Sequence, residues 1–261
     1  MQYALSKNGD DGPMTTDRGW TLLDAGDERR LERFGDRVVD RPAPAAIWPR
    51  RATGEAAEAW GSADLRFERD GGWTGSRHGP WTVALDEVTL ELRPTEAGQI
   101  GLFPEQVTFW PWLRTALAGR PSPAVLHLFA HTGATTLALA AAGARVTHVD
   151  ASRPAVAWAR RNAELSGLTD APIRWIVDDA LAFTAREARR GRRYDGIILD
   201  PPSFGHGTRG TRWELAEALP ELLDACAAVA TDDAFVLLTA HTAGLEPEDL
   251  GAMLADAFDP G

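Results

Sequence analysis

A short stretch of the chain, Asp200-Pro201-Pro202-Ser203-Phe204, combines residue types that could bind a hydrogen-bond donor. The two prolines fix the backbone φ angle and remove two N–H groups, so the carbonyl groups and the Asp200 carboxylate remain as acceptors. Phe204 adds an aromatic ring of the kind on which extruded nucleobases stack. The stretch predicts a rigid acceptor pocket for an N–H group, with a turn capped by Asp200 as the structural alternative.

Three more positions could bind a nucleoside: Gly133, Asp150 and the pair Asp178-Asp179. Gly133 stands between a predicted strand and a predicted helix, where a backbone can approach a ligand closely. It is a single glycine rather than the GxGxxG set, which makes a nicotinamide dinucleotide less favoured. Asp150 could accept both hydroxyl hydrogens of a ribose, and the acid pair could meet an adenine amino group. Taken singly, an acid at the end of a strand can also be a helix cap, and a glycine before a helix can simply belong to a turn. The ligand-binding and the structural interpretation of these residues therefore both stay open.

Alternating apolar runs and Ala-rich amphipathic stretches supply the elements that must position these residues. Five such pairs are typical of a doubly wound, mostly parallel α/β sheet, which binds ligands at the carboxyl ends of its strands. The side chains named above would then line one rim of the sheet. The predicted strands are 124–130, 145–151, 173–179, 194–200 and 234–240, and the predicted helices are 133–143, 153–167, 180–191, 213–230 and 246–258.

The first part of the chain has a different texture, with Gly, Pro and Trp among short apolar pieces. Its clearest pattern predicts a strand-turn-strand unit around Asp86-Glu87. We expect a smaller β-rich domain over residues 1–95, taking part in substrate recognition, and a second domain over residues 96–261.

The composition is that of a folded protein with no general preference for polyanions. Hydrophobic residues make up 44% of the 261 residues, charged residues 25%, and the formal net charge is -11. Any RNA site must therefore come from a local basic groove. One cysteine excludes an internal disulfide, and no cysteine–histidine spacing indicates zinc. Without a signal peptide or a bilayer-spanning apolar run, we expect a cytoplasmic protein with no metal and no membrane partner.

Four motifs together resemble those of class I S-adenosylmethionine-dependent methyltransferases: LFAHTG, VDAS, VDDA and LDPPSFGHG. The upstream segment GLFPEQ is similar to one in the bacterial 23S rRNA methyltransferases that act on cytosine C5 or guanine N7. The resemblance covers residues 98–261. It implies a Rossmann-like methyltransferase sheet, S-adenosylmethionine as the cofactor, RNA as the substrate, and a two-proline turn beside the donor methyl group.

The resemblance also implies which residues contact the cofactor. Asp150, followed by Ala151, would hold the ribose. Asp179, followed by Ala180, would contact the adenine, with Asp178 as the less favoured candidate. The residues that would lie along the cofactor or around its methionine part are Phe103, Gln106, Phe129, His131, Thr132 and Gly133.

The chain departs from the related cytosine-C5 enzymes in its cysteine. Those enzymes carry a nucleophilic cysteine in a Thr-Cys-Ser motif after the fifth strand, where this chain has Thr239-Ala240-His241. Its one thiol, Cys226, falls on the apolar face of a predicted helix and is expected to pack rather than react. A cysteine-dependent mechanism is therefore disfavoured, and His241 could be a base, a substrate contact or a structural residue.

A second departure concerns the end of the chain. The sheet of this fold usually continues into a sixth and a seventh strand, whereas the sequence stops at residue 261. Either strands from the first domain complete the sheet or its edge is open, which leaves the oligomeric state undetermined.

RNA is the leading substrate class, and two alternatives remain open: a small-molecule substrate, and a non-catalytic RNA-binding module with this fold. Arg209 and Arg212 are the preferred basic candidates because their loop follows the two-proline turn. The tryptophans of the first domain could form a base-stacking surface or its core, and these are Trp48, Trp60, Trp73 and Trp81.

Overall fold

The structure is a computed structural model that describes residues 15–16, 19–51, 53–206, 212–242 and 245–258. The described residues form two compact units, one ending at Glu105 and the other beginning at Gln106. The division into domains 1–95 and 96–261 stays a prediction. In the part of the chain that is described, no helix is both long enough and apolar enough to cross a membrane.

The first unit consists mainly of β-strands. Its elements are β1 (Thr15–Thr16), β2 (Trp20–Gly26), β3 (Arg29–Phe34), β4 (Arg37–Pro42), α1 (Glu55–Gly61), β5 (Leu65–Glu68), β6 (Gly72–Gly75), β7 (Trp81–Leu85) and β8 (Val88–Leu92). Strands β1 to β6 form one sheet in chain order, and all neighbours are antiparallel except β4 and β5. Strands β7 and β8 form a separate hairpin.

The hairpin predicted around Asp86-Glu87 is confirmed, and Asp86 adopts the positive φ angle of 48° that a tight turn requires. The apolar side chains on one face of its two strands are all buried: Val83, Leu85, Val88, Leu90 and Leu92. The period of two in the sequence thus reflects a real inward face.

The tryptophans of this unit do not form one exposed stacking surface. Trp60 and Trp81 are buried, and Trp73 is half-buried with its ring 5.2 Å from that of Phe67. Trp48 is exposed, and its indole nitrogen donates to the carbonyl of Ala25. The stacking-surface interpretation is wrong for Trp60 and Trp81, because their large apolar rings contribute to the core of a small unit.

The second unit contains the predicted alternation of strands and helices. Its strands are β9 (Ala124–Leu128), β10 (Arg145–Asp150), β11 (Ile173–Val177), β12 (Tyr194–Leu199), β13 (Phe204–His206), β14 (Arg212–Glu214) and β15 (Ala230–Leu238). Its helices are α2 (Trp110–Leu117), α3 (Ala134–Ala141), α4 (Arg153–Leu165), α5 (Ala180–Arg189), α6 (Leu215–Ala227) and α7 (Pro247–Phe258). A 3-10 helix (Pro104–Phe109) precedes them and contains the point at which the two units divide.

A five-stranded parallel sheet in the order β11-β10-β9-β12-β15 confirms the predicted fold class. The central strands are apolar on both faces because helices cover both sides. On one face Leu126 and Ile197 share a core with α5, α6 and α7. Side chains at alternate positions, such as Val125 and Ile198, are also buried and point to the opposite face. Since every strand runs in the same direction, all their carboxyl ends lie at one edge.

The helix predicted over residues 213–230 is wrong at both ends. Trp213 and Glu214 belong to β14, which pairs antiparallel with β13, and Ala230 begins β15. The Trp213 indole nitrogen donates to the carbonyl of Pro202 at 2.7 Å, and this contact holds the segment in extended conformation. Non-local pairing here overrides the local preference for helix.

Among the described residues the parallel sheet ends at β15. The strands between residues 15 and 92 pair within their own sheets. None of these described strands pairs with the parallel sheet, and what lies at its edge stays undetermined.

Two histidines are buried beneath the rim of the sheet. Thr136 Oγ1 lies 2.8 Å from His127 Nδ1 and 2.9 Å from His148 Nδ1, so one hydroxyl group joins both rings. The Nε2 atom of His148 has no hydrogen-bond partner among the described residues. Burial lowers the pKa of His127 to about 3, and burial together with the nearby His127 lowers the pKa of His148 well below its usual value. Both rings are thus neutral in the folded protein at neutral pH.

We expect the free energy of unfolding to decrease as the pH falls from 6.5 towards 4. Unfolded histidines gain protons over this range while His127 does not, so acid favours the unfolded state. In His127→Gln the slope of this decrease should be smaller by up to about 1.4 kcal/mol per pH unit. Urea unfolding of the full chain at a series of pH values measures the slope. His78→Gln, at an exposed position, is the control and should keep the wild-type slope; an unchanged slope in His127→Gln would contradict the prediction.

Candidate active site

The structure brings four of the predicted site segments to one rim of the parallel sheet. The loop ending at Gly133 follows β9, Asp150 is the last residue of β10, and Asp178 directly follows β11. Asp200 directly follows β12. Because β11, β10, β9 and β12 are consecutive neighbours in the sheet, these segments form a continuous row.

The Asp150 carboxylate joins two loops of this row. Its Oδ2 accepts a hydrogen bond from the backbone N–H of His131 at 2.8 Å, and its Oδ1 accepts one from the N–H of Ser152 at 2.8 Å. A carboxylate oxygen has two lone pairs, so each oxygen can still accept one more hydrogen bond. Asp150 is only partly buried. Two hydroxyl groups of one ligand could therefore donate to it at the same time.

The loop between β9 and α3 has an unusual backbone. Phe129, His131 and Gly133 have positive φ angles of 56°, 48° and 84°. Gly133 is required here, because a Cβ atom would lie 2.9 Å from the Cβ of Ala159 in α4. The Asn162 side chain, also from α4, donates to the carbonyl of Thr132 at 2.9 Å. The loop is thus fixed by α4 in a strained conformation, as is common at ligand sites.

The acid pair after β11 has local partners. Asp178 accepts from the backbone N–H of Asp179 and forms an ion pair with Arg186 through its second oxygen. Asp179 caps α5, with Oδ1 accepting from the N–H of Ala182 at 2.9 Å. The helix-cap interpretation is therefore correct for Asp179. Both acids thus have local partners, and the preference for Asp179 as the ligand contact stays a prediction.

Asp200 belongs to a hydrogen-bonded chain of side chains. The hydroxyl group of Thr239 lies 2.5 Å from Asp200 Oδ1, and it accepts from the amide of Gln106 at 3.1 Å. A hydroxyl has one hydrogen to donate, and the carbonyl of Leu199 is more distant at 3.5 Å, so the hydrogen points to Asp200. Nε2 of the exposed His241 lies 3.8 Å from the same Asp200 oxygen. The carboxylate therefore has a fixed orientation.

The segment after the two prolines forms the short β13–β14 ladder. Thr242 Oγ1 donates to Ser203 Oγ at 2.7 Å, which ties the residue before β13 to the segment that follows β15. The Trp213 ring lies 5.3 Å from the Phe129 ring, and its indole N–H donates to the carbonyl of Pro202. Phe204, by contrast, is 64% exposed. The Pro202 carbonyl thus has one of its two lone pairs engaged by Trp213, and the Phe204 ring is accessible.

The remaining predicted residues have varied positions. Gln106 is buried and contacts Thr239, and Ala180 is buried at the start of α5. Ala151 is exposed beside Asp150, and Phe103 belongs to the first unit. Arg209 lies outside the described residues.

Sequence reasoning missed three structural partners of the site: Thr239, Trp213 and Asn162. Thr239 is 39 positions from Asp200, and Asn162 is 30 positions from Thr132. Their polar side chains sit at a strand end and within an otherwise apolar helix face, which is the signal that could have identified Thr239 and Asn162. Trp213 gave no such signal because it was assigned to a helix.

Comparison with solved structures identifies the family. No protein-family model matches the chain. Its structure is similar to that of the S-adenosylmethionine-dependent methyltransferase from Agrobacterium tumefaciens, with a TM-score of 0.86 and 39% identity, over 93% of this chain and 80% of that chain. The chain belongs to the S-adenosylmethionine-dependent methyltransferases.

Two more distant structures share the fold of this methyltransferase. SMU.776, complexed with S-adenosylhomocysteine, has a TM-score of 0.78 at 17% identity, over 95% of this chain and 68% of that chain. A structure from Streptococcus mutans has a TM-score of 0.76 at 16% identity, over 94% of this chain and 67% of that chain. At these identities the likeness concerns the fold alone.

The cofactor of this methyltransferase is S-adenosylmethionine. The residues at the rim fit it, because a preorganised carboxylate with one free lone pair on each oxygen suits a pair of ribose hydroxyl groups. The role of each cofactor-contacting residue stays a prediction.

His131 lies beside this carboxylate. Burial lowers the pKa of His131, while the charge of Asp150 acts in the opposite direction.

We expect Asp150→Asn to weaken the binding of S-adenosylhomocysteine roughly ten- to one-hundred-fold, since hydrogen bonds to a charged group contribute about 1.5–3 kcal/mol. Asparagine offers one acceptor oxygen instead of two, so the backbone N–H of either His131 or Ser152 also loses its acceptor. Isothermal titration calorimetry measures the affinity.

The matched control is Asp170→Asn, which removes the same charge at an exposed position and should leave the affinity unchanged. Equal affinities of wild type and Asp150→Asn, with both proteins folded, would exclude Asp150 as a cofactor ligand.

Proposed function

We propose that this methyltransferase methylates an N–H group of a nucleobase in RNA, with ribosomal RNA as the leading substrate, and that it does so without a cysteine nucleophile. The observation that carries the proposal is the Asp200 carboxylate, held by Thr239 and followed by two prolines and the exposed ring of Phe204. Membership in the 23S rRNA subgroup is part of the proposal and is supported by the motif resemblance.

Asp200 would act as the acceptor for the substrate. When bound, S-adenosylmethionine supplies a methyl group activated by a positively charged sulfur. The Asp200 carboxylate accepts a hydrogen bond from the substrate N–H group and thereby orients the nitrogen lone pair. As the nitrogen–methyl bond forms and the carbon–sulfur bond breaks, the nitrogen becomes positively charged, and the same carboxylate takes its proton.

Thr239 and Gln106 would hold this carboxylate in place. Thr239, which follows β15, donates to Asp200, and Gln106 of the 3-10 helix donates to Thr239, so the acceptor need not reorient during the reaction. A carboxylate that is already aligned costs little reorganisation, which is the main requirement when the methyl donor is intrinsically reactive.

Phe204 would supply the contact with the base. The Phe204 ring is 64% exposed and therefore accessible to a ligand, and it lies four residues after Asp200 on the β13–β14 ladder. Stacking of a planar base on such a ring is tolerant of base identity, so it agrees with a nucleobase but leaves the particular base to other contacts.

Cys226 is an unsuitable nucleophile. It is fully buried in the core formed with α6, and burial raises the pKa of its thiol. A thiol in an apolar core stays protonated and out of reach of a base. This environment supports a mechanism that proceeds without covalent addition to the ring.

We predict that Asp200→Asn lowers kcat for methyl transfer at least one-hundred-fold, because general-base catalysis typically contributes 10² to 10⁴. Binding of S-adenosylhomocysteine should stay within about two-fold of wild type, since Asp200 is assigned to the acceptor rather than to the donor. The assay follows radiolabelled methyl transfer from S-adenosylmethionine to ribosomal RNA transcribed in vitro.

Asp232→Asn is the control, because it removes an exposed carboxylate of β15 and should retain full activity. The substrate class is tested in parallel with simple amines and phenols. Methylation of these compounds but not of RNA would overturn the RNA proposal, and an unchanged kcat in Asp200→Asn would overturn the role of Asp200.

A further inference from the structure

The first unit contains a cavity of about 370 Å³ that is lined by cationic and donor side chains. Three arginines, Arg30, Arg41 and Arg69, line it together with Gln99 and the edge of Phe67, and no carboxylate is among the described residues that line it. A wall of this kind is unexpected in a chain whose formal net charge is -11. The cavity lies wholly within this unit.

Two of these arginines share one buried carboxylate. Arg41 is buried and donates from Nε and Nη2 to Glu32 Oε2, at 3.0 and 2.6 Å. Arg30 Nε lies 3.3 Å from the same oxygen but makes no hydrogen bond, and its Nη1 is 3.8 Å from Glu105. Arg30 is thus held by two ion pairs but by no hydrogen bond at Nε, which is a buried donor without an acceptor among the described residues. A buried donor of this kind is costly unless an acceptor compensates it.

Burial lowers the pKa of Arg41, and the neighbouring Arg30 lowers it further, whereas Glu32 and Glu105 act in the opposite direction. An anion beside Arg30 and Arg41 would reduce the repulsion between these two side chains.

Gln99 presents donors to the cavity. Its Oε1 accepts from Arg41 Nη1 at 3.1 Å, so its amide hydrogens are directed away from Arg41. The preceding Gly98 has a φ angle of 77° and lies directly against the Phe67 ring, where a Cβ atom would come within 2.7 Å. This close approach sets the position of Gln99 and leaves the Phe67 face covered. The cavity therefore offers hydrogen-bond donors rather than a stacking surface.

Arg69 stands at the mouth of the cavity. It is exposed, and it has no hydrogen-bond or ion-pair partner among the described residues. It also borders an adjacent cavity whose lining includes four acids, namely Asp27, Glu28, Glu68 and Asp70. These acids would repel an anion on that side and confine it to the side of Arg30 and Arg41.

We propose that the cavity lined by Arg30, Arg41, Arg69 and Gln99 binds a phosphate group, and that this phosphate belongs to the backbone of an RNA chain. The fork-shaped guanidinium groups match phosphate oxygens, and the amide of Gln99 adds a neutral donor. Assigning the phosphate to RNA rests on the proposed function, whereas the anion site itself does not.

The test measures binding of a fluorescently labelled five-nucleotide RNA by anisotropy, and of inorganic phosphate by calorimetry, to the full chain. In Arg69→Ala the affinity for the oligonucleotide should fall roughly ten-fold, as expected for one lost charge-assisted contact. The slope of log K against log salt concentration should decrease by about 0.7, the value for one phosphate contact of a single strand. Arg30→Gln should act in the same direction, with its fold checked by circular dichroism.

The matched control is Arg33→Ala. Arg33 belongs to the same strand as Arg30 but is exposed on the opposite face, since the two positions differ by an odd number of residues. Its removal lowers the charge equally and should leave affinity and salt slope unchanged. Equal effects of Arg69→Ala and Arg33→Ala, or no effect of either, would overturn the phosphate site.

The two sources of phosphate give different results. If inorganic phosphate binds as tightly as the oligonucleotide and Arg69→Ala weakens both, the anion site stands and its assignment to RNA is overturned. If wild type fails to methylate ribosomal RNA yet Arg69→Ala still weakens oligonucleotide binding, the proposed function fails while the site stands. If wild type methylates ribosomal RNA but Arg69→Ala binds the oligonucleotide as tightly as wild type, the phosphate site is overturned and the proposed function stands.

Discussion

The hydrogen bonds of a single carboxylate hold the rim of the parallel sheet together. Asp150 ends β10, and its two oxygens accept from backbone groups in the loop after β9 and in the turn before α4. Without this contact the N–H of His131 would lose its acceptor, and the strained loop would depend on the backbone bond from Ala130 to Val149 and on the contact of Asn162 with Thr132. Each oxygen of the same carboxylate keeps a lone pair, so the residue that orders the rim is also the one predicted to hold the ribose of the cofactor.

The same arrangement recurs on the other side of β9. Asp200 directly follows β12 and is fixed by the hydroxyl group of Thr239, which is in turn fixed by Gln106. In both places a polar group that must be accurately placed is held by another polar group from a neighbouring element. Transfer from an activated methyl donor depends mainly on such alignment, so carboxylates that are already held in a fixed orientation suit the chemistry of this family.

Sequence patterns predicted the sheet well, because buried parallel strands are continuous apolar runs and the helices between them end at glycines. They failed where structure depends on distant partners. The pairing of β13 with β14 could not be read from local preference, and Trp213 was therefore placed in a helix. The motifs located Asp150, Asp179 and Asp200, whereas the contact of Thr239 with Asp200 required the fold, since 39 positions separate them.

The most direct test is a crystal structure of the protein with S-adenosylhomocysteine. The account predicts that both ribose hydroxyl groups lie within hydrogen-bonding distance of the Asp150 oxygens, with the sulfur atom facing the turn that begins at Asp200. A nucleoside bound away from the carboxyl ends of β9, β10 and β11, or a ribose that makes no contact with Asp150, would contradict it.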